Sequence, residues 1–180
     1  MSFLLAAVIL GTTGVPGQSK STQEDWMPYT SIAGRIRFEM PLSPVEQRDQ
    51  APSGGSVRIY ACEKDDVLYE VVTMELVPQL QQAMQEAMTD SEPSLTRQIL
   101  DQSVDSFIEG TEGKIGKTEY QRFRKLPSRT TMVKLSDNRE AKVMSSVGRE
   151  RAYLFLAAYP SGEKSLARAT RFFDSLQFQN

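Results

Sequence analysis

The feature that most restricts the fold is an unbroken apolar run near the end of the chain, Ala152-Tyr153-Leu154-Phe155-Leu156-Ala157-Ala158-Tyr159. Successive residues of a strand point to opposite faces, so a strand apolar at every position must be covered on both. Such a segment belongs in the middle of a sheet, with one layer above it and another below. Pro160-Ser161-Gly162 breaks the run. Residues 163–176 then read as an amphipathic helix that can supply part of the cover.

The preceding segments read mostly as paired strands. Residues 34–41 alternate, with Ile36, Phe38 and Met40 on one side and Arg35, Arg37 and Glu39 on the other, until Pro41 ends them. Residues 42–55 carry Pro44, Pro52, Gly54 and Gly55 and read as a loop. Residues 56–62 and 67–76 flank an Asp65-Asp66 turn. A link this short cannot carry a parallel crossover, so the pair is an antiparallel hairpin.

Two helices are expected next. Residues 79–88 are rich in Gln, Ala and Met, and residues 94–109 place Leu95, Ile99, Leu100, Val104, Phe107 and Ile108 on one stripe, with Gly110 as a cap. Ser91-Glu92-Pro93 separates them. Met74, Met84 and Met88 sit at core spacings, which favours packing over a soft binding surface. Residues 113–124 begin a third group of strands, and residues 130–135 and 140–147 form a hairpin about Ser136-Asp137-Asn138. Gly148-Arg149-Glu150 turns the chain into the central run. Consecutive hairpins with few inserted helices predict the α+β class, and residues 26–180 suit one domain.

Residues 1–17 stand apart. Their apolar stretch is too short to span a bilayer as a helix and fits the core of a secretory signal, with a small-residue exit near Gly17. Residues 18–25 are polar and read as a linker. Export to a periplasmic or extracellular space is therefore expected, with no transmembrane helix in the mature chain.

Composition narrows the chemistry. The chain has no histidine, which removes the commonest general base and metal ligand and rules out Ser-His-Asp and Cys-His sets. Its one cysteine, Cys62, has no partner for an internal disulfide and no neighbouring base to activate it. Gly116-Lys117-Thr118 looks like the end of a phosphate loop, but Thr111 stands where that loop needs glycine, and the stretch follows a helix. Asp65, Asp66 and Glu63 offer oxygen to a hard cation without the six or more ligands calcium takes. No catalytic, cofactor-binding or metal-binding residue is indicated.

The net charge of −2 does not point to nucleic acid. It is unevenly spread, however. Residues 112–151 hold eleven Lys or Arg against five Asp or Glu, while the remainder holds ten and eighteen. A basic face comprising Lys114, Lys117, Arg122, Arg124, Lys125, Arg129 and Lys134 is expected, suited to an acidic protein or an anionic surface.

Placed in order, these segments show a family resemblance. The aromatic pair Trp26 and Tyr29 precedes a strand holding Phe38, Met40 and Pro41; the hairpin containing Tyr69, a helix, two strands and the Tyr153 strand follow; Arg171-Phe172-Phe173-Asp174-Ser175 lies near the end. The pattern, from Trp26 to Phe178, resembles the Mog1/PsbP-like superfamily, in particular its small bacterial members. The resemblance implies an antiparallel β-sheet packed between α-helices, as an α/β/α sandwich. It also implies an accessory or binding role, since relatives include photosystem II subunits of the thylakoid lumen and a nuclear Ran-binding factor. The expectation is thus an exported, non-enzymatic binding protein. A small-ligand-binding or carboxylate-dependent hydrolytic protein, marked by two facing carboxylates in a deep pocket, is the alternative from another class. A structural envelope-associated domain is a third.

Overall fold

The central apolar run is the fourth strand of a seven-stranded antiparallel sheet, where its two-sided apolar character places it. The computed structural model describes residues 26–89 and 94–179. In chain order its elements are β1 (Met27–Ser31), β2 (Ile36–Met40), β3 (Val45–Gln50), β4 (Ser56–Lys64), β5 (Val67–Glu75), α1 (Pro78–Thr89), α2 (Ser94–Thr111), β6 (Lys114–Phe123), β7 (Leu126–Lys134), β8 (Glu140–Val147), β9 (Arg151–Tyr159), α3 (Glu163–Ser175) and β10 (Gln177–Phe178). The large sheet runs β3-β4-β5-β9-β8-β7-β6. The signal-like segment 1–17, the linker 18–25 and the Ser91-Glu92-Pro93 break lie outside the described residues, as does the side chain of Met88.

The two faces of β9 enter two separate cores. Leu154 and Leu156 pack with Val72, Val143 and, from α2, Val104 and Phe107. Tyr153, Phe155 and Tyr159 pack with Phe38, Tyr69 and Phe172 on the other side. Full burial of each large apolar side chain contributes about 1.5–3 kcal/mol. Ala169, Phe172 and Phe173 form the buried stripe of α3, at the spacing that brings them onto one helix face. Met74 and Met84 lie in the first core.

The layer over the second face is more than a helix. β1, β2 and β10 form a separate three-stranded sheet, so the strand containing Phe38 does not join the large sheet. Ile36, Phe38 and Met40 are completely buried beneath it, as their alternation predicts. Phe178 of β10 closes over β9, with ring centroids 4.8 Å from Tyr153 and 6.1 Å from Phe155.

Three local expectations need correction. Residues 42–55 are not all loop: Val45–Gln50 is edge strand β3, paired with β4. No β3 residue is fully buried, so it lacks the apolar alternation that marks a half-buried strand. Gly110 does not cap α2, which continues to Thr111; the left-handed residue is Glu112, with φ 52°. The adjacent glycine is needed at 113, where a Cβ would lie 2.5 Å from Val133 Cγ1. Finally, β7 begins at Leu126, because Arg124 and Lys125 make a two-residue turn with φ 50° and 76°. Both angles are positive, as type I′ hairpin turns require, without the usual Asn or Gly.

Arg129, expected on the basic face, is instead buried between β7 and α2. Its side chain is 7% exposed, and Nη1 donates to Asp105 Oδ1 at 2.9 Å and to Asp101 Oδ1 at 3.2 Å. The same strand face meets the acidic side of α2, so the charge serves the interior. Tyr120 Oη donates to Asp101 Oδ1 at 2.6 Å, and Arg97 lies over the Tyr120 ring. We expect Arg129→Ala to lose about 2 kcal/mol or more in urea unfolding, through lost charged hydrogen bonds and stem packing. Arg97→Ala, at an exposed ion pair, should cost under about 0.5 kcal/mol. Equal losses would contradict the placement.

Glu70 is a second buried charge. It faces the helix layer between Ala61 and Leu156, is 6% exposed, and makes no hydrogen bond or ion pair to another described residue. Burial pushes its carboxyl from the ordinary 4.5 up to about 7. The folded state therefore holds a proton that the unfolded chain releases earlier. The contribution of Glu70 to stability should be greatest below about pH 4.5 and fall as pH rises to about 7, by on the order of 2–3 kcal/mol. Glu70→Gln should abolish this fall when urea midpoints at pH 4.5 and 7.5 are compared. A pH-independent difference between the two proteins would show the carboxylate to be solvated.

Candidate functional site

The seven residues expected on one basic face are dispersed along the β6–β7 hairpin. Lys114 and Lys134 face each other at its open end. At about 3.3 Å per residue, this end is roughly 30 Å from the Arg124-Lys125 turn. Lys117 sits at a β-bulge and pairs with Glu119; each holds the other's charge, raising the lysine pKa and lowering the glutamate's. Arg124 turns toward α3, where Nη2 donates to the Asp174 carbonyl at 2.8 Å. Arg129 is buried, as described above. Arg122 and Lys125 remain, held beside each other by a 3.1 Å bond from Arg122 Nη1 to the Lys125 carbonyl.

These two open onto a cleft that no local sequence pattern displays. Its volume is about 1020 Å³, and it gathers Arg35, Arg122, Lys125, Arg149 and Arg151 around a single carboxylate, Glu150. Leu126, Tyr153 and Phe178 supply apolar surface within it. The size is at the upper limit of small-molecule pockets. The cleft is broad and open, a shape that suits a chain segment.

Main-chain bonds lock the cleft walls to the scaffold. Leu76 N–H donates to the Glu150 carbonyl at 2.8 Å, Gly148 N–H to the Arg151 carbonyl at 2.8 Å, and Gln179 N–H to the Arg35 carbonyl at 2.8 Å. The β8–β9 turn, the β1–β2 loop and the chain following β10 therefore converge at one end of the large sheet. Arg35 Nη1 donates to Glu150 Oε2 at 2.6 Å, and Arg151 Nη1 lies 3.6 Å from the same oxygen. Arg149 is exposed and has no side-chain partner among the described residues. Burial pushes the Tyr153 phenol above its usual range, while Arg151 and Arg35 pull it down and Glu150 pushes it up.

The chemistry available here is recognition of negative charge. Guanidinium groups hold carboxylates through planar, paired hydrogen bonds, and aromatic surface beside them takes apolar side chains. Elsewhere, Cys62 is buried, and burial pushes its thiol up to about 11, far from a reactive thiolate. Asp65 pairs with Arg168 at 2.7 Å. Among the described residues, no three His, Cys, Asp or Glu side chains are grouped to hold a metal ion. Gly116-Lys117-Thr118 lies within strand β6, not at a helix start. No helix among the described residues is long and apolar enough to cross a membrane.

Arg149 and Arg151 belonged to the basic segment visible in sequence. Arg35 and Phe178 did not; only the small sheet β1-β2-β10 brings them in. No family model matches the chain, and no curated protein matches it by sequence. Among solved structures, the solution structure of cyanobacterial PsbP (CyanoP) from Synechocystis sp. PCC 6803 is similar, with a TM-score of 0.53 at 15% identity. The match covers 94% of this chain and 98% of that chain. Architecture and superposition together show that this chain has a PsbP-like α+β fold.

Proposed function

We propose that this chain is an exported, non-enzymatic accessory protein that holds an acidic segment of a protein partner in its basic cleft. The observation that carries the reading is the cleft's imbalance, five cations around one carboxylate on partly aromatic walls. Concavity favours a protein segment over a flat anionic surface. The PsbP-like fold supports an accessory role by analogy of fold. The export part rests on the apolar stretch of residues 1–17 and its small-residue exit.

Charge reversal tests the binding reading. Arg122→Glu, Lys125→Glu and Arg149→Glu, combined in the full chain, should weaken capture of partners from the native cell by at least about tenfold and flatten its salt dependence. Unchanged capture and salt dependence would overturn the cleft assignment. Mass spectrometry of the protein from its native source tests export. A mature N-terminus shortly after Gly17 is expected, and a retained Met1 would contradict it.

A further inference from the structure

Glu150 occupies an unusual position in the cleft. It is half-exposed, yet it engages Arg35 at 2.6 Å and lies near Arg151, whose side chain is only 14% exposed. Two guanidiniums thus converge on one carboxylate supplied by the protein itself. Beneath them lies Tyr153, 6% exposed, lining the cleft without a hydrogen-bond partner among the described residues. The remaining cleft cations, Arg122, Lys125 and Arg149, have no carboxylate partner among the described residues. Exposed ion pairs of this kind contribute only about 0–1 kcal/mol, so Glu150 is readily exchanged.

We propose that Arg35 and Arg151 form a carboxylate-binding subsite, that Glu150 is its resident occupant, and that an Asp or Glu of the acidic partner segment displaces it. This rests on the reading of the cleft as the site for an acidic segment. On displacement, the incoming carboxylate takes the two guanidiniums, and the Tyr153 hydroxyl is placed to donate a further hydrogen bond. Glu150 swings into solvent without disturbing the turn, because its tie to Leu76, just after β5, runs through its main-chain carbonyl. Glu150 therefore restrains binding, and only a partner that supplies a better-placed carboxylate releases it.

The test uses the full chain and a fluorescein-labelled peptide, acetyl-Glu-Glu-Phe-Glu-Glu-amide, followed by anisotropy at low salt. Glu150→Gln should bind about three- to tenfold tighter than the parent chain. Glu63→Gln, which removes the same charge from β4, should leave affinity nearly unchanged. Adding Arg35→Gln and Arg151→Gln to Glu150→Gln should erase the gain. Overlaid circular dichroism spectra would establish that each variant is folded. A Glu150→Gln affinity equal to or below that of the parent, or a gain matched by Glu63→Gln, would overturn the displacement mechanism. The cleft reading itself would then survive if the Arg122, Lys125 and Arg149 reversals still abolish binding. If neither parent nor Glu150→Gln binds the peptide, both fail. If Glu150→Gln gains affinity only for phosphatidylglycerol vesicles, the occupant is a lipid headgroup and the acidic-segment proposal is wrong.

Discussion

Two-sided burial of β9 is the constraint on which the rest of the molecule depends. Leu154 and Leu156 require one apolar layer, and Tyr153, Phe155 and Tyr159 require another. A two-layer fold with one wet sheet face would leave half of these residues in water. The chain meets the demand asymmetrically, with two helices on one side and a helix plus a small sheet on the other. Removing one large aromatic from either core should cost several kcal/mol, comparable with much of a domain's net stability, about 5–15 kcal/mol.

The cleft follows from that arrangement. The small sheet packs over β9 through Phe178, and its β1–β2 loop reaches the end of the large sheet where the β8–β9 turn lies. Arg35 thereby meets Glu150 and Arg151 across more than a hundred residues of sequence. The β6–β7 hairpin supplies Arg122 and Lys125 to the same cleft. Secondary structure fixes where these backbones sit, and the long side chains supply reach. The binding proposed for this cleft draws on charge and shape.

The parts of this fold readable from sequence are those whose burial leaves a local apolar pattern or whose turn is short and polar. The run at residues 152–159, the Asp65-Asp66 hairpin and the stripe of α3 are all of this kind. Strand β3 escaped because both its faces are wet, and an edge strand need not alternate. The Arg124-Lys125 turn escaped because neither residue carries the usual preference for positive φ. β10 is only two residues long. Of the residues that line the candidate cleft, Arg122, Lys125, Arg149 and Arg151 fall in the basic stretch 112–151, but charge counts cannot say which cations face solvent. Arg129 was drawn inward because Asp101 and Asp105 lie one helical turn apart on α2, a match between segments that no local pattern displays.

Amide hydrogen exchange of the full chain, free and with saturating acidic peptide, tests the combination of rigid core and contact site most directly. In both states β9 amides should exchange slowest, at the rate set by global unfolding, with β3 and β6 opening much earlier. The peptide should slow exchange chiefly at residues 122–126 and 149–151. Fast exchange of β9 relative to the edge strands, or peptide protection centred away from those two turns, would contradict the account.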